Sequence, residues 1–201
     1  TCPVIRELSK SDSVTLAGYP DRLALAVHAG IAEGAVSLDA IDFHSLFGMP
    51  SERLISFLKP FDRVIVWMRD EDRFIATSLA RITDAQIDVF PGLPPNDWAD
   101  HASRYFESSL TFSALPPVRL SIEAGAAVHD VVIHPGSGSP DKNWPRECFY
   151  SIADRLQESG RSVAWCPGPA ESEQSGLRER DTVIHCETLV ELAGQLASAQ
   201  L

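Results

Sequence analysis

The chain is 201 residues long, 44% hydrophobic and 22% charged, with a formal net charge of −11 and four cysteines. That is ordinary globular composition, and the length suits one medium domain or two small ones. The acidity is shared almost evenly, −6 up to Pro117 and −5 beyond it, so there is no basic stripe for a nucleic-acid backbone and strong attraction to anionic lipid is disfavoured.

No apolar run approaches the length of a membrane span, and Thr1-Cys-Pro-Val does not read as a signal peptide. Cys2, Cys148, Cys166 and Cys186 show no short paired spacing, which argues against a zinc knuckle and a disulfide framework. Cys166 and Cys186 end apolar, strand-like runs and read as buried free thiols.

In chain order, Cys2 to Lys10 carries Val4, Ile5 and Leu8 on one helical face. Ser13 to Gly18 reads as a strand, Asp21 to Ala29 as a helix ended by Gly30, and Ala35 to Asp39 as a short strand. Ser51 is placed to cap a helix over Glu52 to Leu58. Strands follow at Val64–Trp67 and Gln86–Phe90, with a helix over Asp70 to Arg81 between them. Pro91-Gly-Leu-Pro-Pro95 is a breaker cluster. Asp97 to Leu110 reads as a helix with Trp98, Tyr105 and Phe106 available for packing. Ala114-Leu-Pro-Pro117 breaks the pattern again, and the domain boundary is set there, giving domains 1–117 and 118–201. Beyond it come strands at Val131–Ile133, Val163–Cys166 and Val183–Cys186. A helix runs to Gly160 with Phe149, Ile152, Ala153 and Leu156 on its apolar face. Thr188 and Glu191 form a capping box for a last helix. Strands alternating with helices predict an α/β chain with parallel pairing and right-handed crossovers.

The most informative stretch is His134-Pro-Gly-Ser-Gly-Ser-Pro-Asp-Lys-Asn-Trp-Pro145, a Gly/Ser-rich loop between a strand and a helix. Backbone N–H groups, a helix start and the Lys142 cation converge there, which suits a phosphate. It is not a Walker A loop, because the lysine follows aspartate. It is not Gly-x-Gly-x-x-Gly either, since Asp141 holds the third glycine's place. Spacing alone fits a plain tight turn with a solvated Lys142 as well as it fits a phosphate site.

The wording of this loop resembles the nucleotide-sugar loop of glycosyltransferase family 9, the ADP-heptose:lipopolysaccharide heptosyltransferases. Cys166-Pro-Gly-Pro-Ala-Glu171-Ser-Glu173 is similar to that family's Gly-Pro-x-Glu-x-Glu segment, and Asp97-Trp-Ala-Asp-His101-Ala-Ser-Arg-Tyr105 is a weaker match. The resemblance implies a GT-B fold of two Rossmann-like domains with parallel sheets, both incomplete in this chain. It also implies an inverting transfer of heptose from ADP-heptose to a lipopolysaccharide inner-core acceptor, in the cytoplasm with peripheral contact at the inner face of the bacterial inner membrane. No cofactor or metal is implied, and no nucleic acid.

By the same resemblance Lys142 contacts the donor diphosphate, where one well-placed cation or N–H donor contributes about 3 kcal/mol to a developing negative charge. Ser137, Gly138 and Ser139 offer further donors, and Gly136 permits close backbone approach. Glu171 accepts from ribose hydroxyls, or else is a first-turn helix acid favoured by the dipole. Glu173 reads as a solvated helix residue. The catalytic carboxylate is expected in a Gly-Asp loop ahead of residue 1, so no catalytic residue is assigned within the chain, and residues 1–201 alone are expected to be inactive. His134 and His185 read as packing residues, His101 as structural, and Trp144 as a ring buried against the following helix. Two other readings stay open: a GT-B enzyme for another nucleotide sugar, and a non-catalytic nucleotide-sugar-binding protein.

Overall fold

The computed structural model describes residues 2–123, 128–136, 143–168 and 177–200. The chain divides into two compact units, Thr1–Leu120 and Ser121–Leu201.

In the first unit the order is α1 (Cys2–Leu8), β1 (Thr15–Gly18), α2 (Pro20–His28), β2 (Gly34–Ser37), a 3-10 helix (Phe43–Phe47), α3 (Glu52–Leu58), β3 (Arg63–Trp67), α4 (Phe74–Leu79), β4 (Gln86–Phe90) and α5 (Ala102–Ser109). β1 pairs with β2 and β3 with β4, both in parallel. The two ladders are separate among the described residues. They still share side-chain packing: Val36 and Leu38 reach the same core as Val64 and Val66, around Ile41, Leu46, Leu54, Leu58, Ile75 and Leu79. A second core joins Ile5, Ala26, Ile31 and Ala32. As expected, Ser51 caps α3, its hydroxyl accepting from the Leu54 N–H at 3.3 Å.

Two helices begin later than their apolar pattern suggests. Arg73 lies in the left-handed region at φ 58°, and the helix expected from Asp70 starts at Phe74. The Asp70 carboxylate accepts from Ile75 N at 2.7 Å and Ala76 N at 3.0 Å. It therefore caps the helix from outside instead of opening it. The helix expected from Asp97 starts at Ala102, because His101 turns its Nδ1 onto the Ser103 N–H at 3.2 Å and serves as the cap. Inside α5, Glu107 is 2% exposed; its Oε2 accepts from Arg104 Nη1 at 2.6 Å and from Leu115 N at 3.1 Å.

The second unit is β5 (Val131–Ile133), α6 (Arg146–Glu158), β6 (Val163–Trp165), β7 (Thr182–Val183) and α7 (Leu189–Ser198). Its strands form one parallel sheet in the order β5-β6-β7. The core is Val131, Ile133, Tyr150, Ala153, Val163 and Trp165. Gly160, at φ +83°, ends the α6 region in the left-handed conformation that glycine adopts freely. At the amino edge of this sheet, Asp130 accepts from the Ser162 N–H and hydroxyl, each at 2.8 Å. The strand expected over Val183–Cys186 is two residues long. The Thr188 hydroxyl accepts from Glu191 N at 3.1 Å, but the Glu191 carboxylate reaches back to Glu187 N at 2.8 Å instead of Thr188 N. The capping box is thus offset by one residue on its return arm.

Candidate functional site

Because β5, β6 and β7 are parallel, their carboxyl ends share one edge, the place where open α/β sheets take ligands. Backbone bonds draw that edge together beyond the strands: Cys166 N donates to Ile133 O at 2.9 Å and Ile184 N to Trp165 O at 2.7 Å. His134 leaves β5 and sets its Nδ1 2.6 Å from the Cys166 carbonyl. A carbonyl only accepts, so this nitrogen carries the proton. The histidine therefore ties two strand ends together and its tautomer is fixed, in keeping with the structural role read from the sequence.

Pro135 and Gly136 follow, half-buried. Ser137, Gly138, Ser139 and Lys142, like Glu171 and Glu173, lie outside the described residues. Of the expected donor-site residues, the structure places Gly136 alone, at the carboxyl edge. Pro145 occupies the N-cap of α6, where its carbonyl accepts from the Cys148 N–H at 3.0 Å. Trp144 stands edge-on to Phe149 at 5.2 Å and is 50% exposed, so the ring is less covered than the sequence suggests.

The floor of the edge is Trp165, 1% exposed and packed on Tyr150 at 4.9 Å between ring centroids. Burial, reinforced by Asp181, pushes the Tyr150 phenol above its ordinary value. Arg178 clamps the chain that returns to β7: its Nη1 bonds both oxygens of Asp154 at 2.8 and 3.0 Å, and its guanidinium lies 3.9 Å over the Tyr150 ring. Cys166 is buried and Cys186 only half-buried, which corrects the expectation of two buried thiols. His185, read as a core residue, is exposed, because β7 ends before it.

The first unit holds a cleft of about 940 Å³ that the sequence reading did not identify. It opens at the carboxyl ends of β3 and β4 and is lined by Arg69, Asp70, Arg73, Phe90, Gly92 and Asn96, among others. The breaker cluster directly after β4, together with arginines just after β3, was the available signal. Gly92 makes the wall possible: a Cβ there would stand 2.8 Å from the Trp67 carbonyl oxygen. The Tyr105 hydroxyl donates to Pro91 O at 2.8 Å and holds the same loop to α5. Among the described residues, no group of three or more histidine, cysteine or acidic side chains could hold a metal ion. No described helix is long and apolar enough to cross a membrane.

Residues 100–201, half of the chain, match the family model described as glycosyltransferase family 9 (heptosyltransferase). Among solved structures, the chain is similar to the glycosyl transferase family 9 from Veillonella parvula DSM 2008, at 16% sequence identity and a TM-score of 0.71, over 100% of this chain and 70% of that one. No curated protein matches significantly. At that identity the likeness speaks to the fold, which is α/β, of the GT-B type, with small parallel sheets. With the family model running from α5 to the end of the chain, through the loop after β5, the chain belongs to glycosyltransferase family 9.

Proposed function

We propose that the protein is an inverting transferase that moves heptose from ADP-heptose to a lipopolysaccharide inner-core acceptor. Membership of glycosyltransferase family 9 makes it a sugar transferase; donor, acceptor and residue roles are the further step. The observation that carries it is the family match across residues 100–201, which takes in the strand, loop and helix that the chain sets at one sheet edge.

The ADP diphosphate would sit over the loop between β5 and α6. Lys142 and the N–H groups of Ser137, Gly138 and Ser139 would meet the phosphate oxygens, with Gly136 allowing close approach. As the bond to the anomeric carbon breaks, charge gathers on the β-phosphate, and preorganised donors there stabilise the transition state more than the ground state. Glu171 would accept from the ribose hydroxyls. The acceptor would occupy the cleft of the first unit, whose lining carries arginines (Arg69, Arg73) and carboxylates (Asp70, Glu71, Asp88) that can bond sugar hydroxyls. Its hydroxyl would give a proton to a carboxylate base and attack as ADP leaves.

The test is calorimetric titration of ADP and ADP-heptose into the full-length protein, wild type and Lys142→Ala. Loss of a charge-assisted contact is expected to weaken ADP by about tenfold or more. Equal binding to both proteins would remove Lys142 from the site. Tighter binding of UDP or GDP than ADP would assign a different donor.

A further inference from the structure

The same sheet edge carries a pair of thiols that nucleotide binding does not use. Cys166 follows β6 and Cys186 follows β7. The register Trp165↔Val183 brings the chain just after β6 beside the chain just after β7, where Cys166 and Cys186 lie. The result is a direct contact: the Cys166 thiol points at Cys186 Sγ across 3.4 Å. Both cysteines are free. Forming a bond requires the sulfurs to close from there to about 2 Å.

We propose that Cys166 and Cys186 are a reversible disulfide site, closed by a small-molecule disulfide of the oxidised-glutathione class. The two thiols are not equivalent. Cys166 is 1% exposed, and burial, then the contact with Cys186, pushes its thiol up to about 12. It stays protonated and out of reach of a bulky oxidant. Cys186 is half-buried, the more accessible residue of the two. In the first step the Cys186 thiolate attacks one sulfur of oxidised glutathione and one glutathione thiolate leaves. In the second, Cys166 Sγ attacks Cys186 Sγ while its proton passes to the departing glutathione thiolate, which leaves as glutathione. The protein dithiol is oxidised by two electrons and the glutathione disulfide is reduced to two thiols. The bond would join the ends of β6 and β7 at the carboxyl edge, beside the carbonyl that His134 holds. In a reducing compartment such a bond is transient, and it forms when the thiol pool is oxidised.

The experiment is incubation of the reduced, full-length protein with oxidised glutathione, then digestion without reductant and mass analysis. The expected product is a Cys166–Cys186 linked peptide pair, with the protein lighter by two hydrogens, reversed by dithiothreitol. Cys148→Ser should leave the linked pair intact, and Cys186→Ser should abolish it. Cys166→Ser should halt at a glutathione adduct on Cys186. An adduct that persists on Cys186 in the wild type, a cross-link between other cysteines, or no reaction at Cys186 overturns the proposal. The readout is covalent mass, so it stands or falls separately from any result with ADP.

Discussion

Single residues at this fold's edges do more than their type announces. His134 is a tether: a ring nitrogen on the Cys166 carbonyl joins the ends of two strands. Glu107 is charged by type, yet it is buried, because Arg104 and the Leu115 N–H satisfy one of its oxygens. A partner eight residues away, beyond the end of the helix, could not be read from helix periodicity. Asp130 shows how such local bonding sets pH behaviour. The Ser162 backbone N–H, then the Ser162 hydroxyl, hold its carboxyl below the ordinary value of 3.8. A carboxyl lowered by folding contributes stability that is present above its unfolded value and is lost as pH falls through the folded one. Asp130→Asn is therefore expected to flatten the acid side of the stability curve below about pH 4 and to leave its slope near neutrality unchanged, as urea unfolding at a series of pH values would read. The full acid slope in the variant would assign it to other groups.

At the level of elements, legibility followed how much of an element's conformation its own residues determine. Gln86–Phe90 and Val131–Ile133 appear with the bounds expected from their apolar runs, since a buried strand declares itself by side chains alone. The 3-10 helix at Phe43–Phe47 gave no such sign, being too short for periodicity. The late starts of α4 and α5 depend on caps formed by residues outside the helices, Asp70 and His101. The candidate site was legible as a strand, a Gly-rich loop and a helix, because glycine and proline punctuate strongly. The cleft after β4 was legible only as a break, for it arises where two strand ends meet in space. Gly92 tests the build of that cleft. Gly92→Ala would drive a Cβ to 2.8 Å from backbone oxygen, which cannot rotate away. It is expected to cost about 2 kcal/mol, seen as a lower urea midpoint, whereas Gly34→Ala, in strand β2 with no atom within 4 Å of its Cβ, is expected to be nearly neutral. Equal midpoints for the two would mean that the loop yields freely.

For the molecule as a whole, the dominant physical fact is charge. The −11 total is spread over both halves, so an anionic partner of either half meets an unfavourable mean field. These 201 residues are accordingly expected not to co-sediment with vesicles rich in anionic lipid, and lowering the salt should not draw them on. Binding that strengthens as salt falls would reveal a concentrated basic face.

Arg178 has a consequence on a longer timescale. The chain leaves the sheet at Cys166, whose N–H is held by Ile133, and returns at Arg178, which is locked to Asp154 and Tyr150. The segment entering β7 is thereby fastened to α6 as well as to the sheet. Loosening the one loosens the other, so the amides of both are expected to trade their hydrogens with solvent as one event.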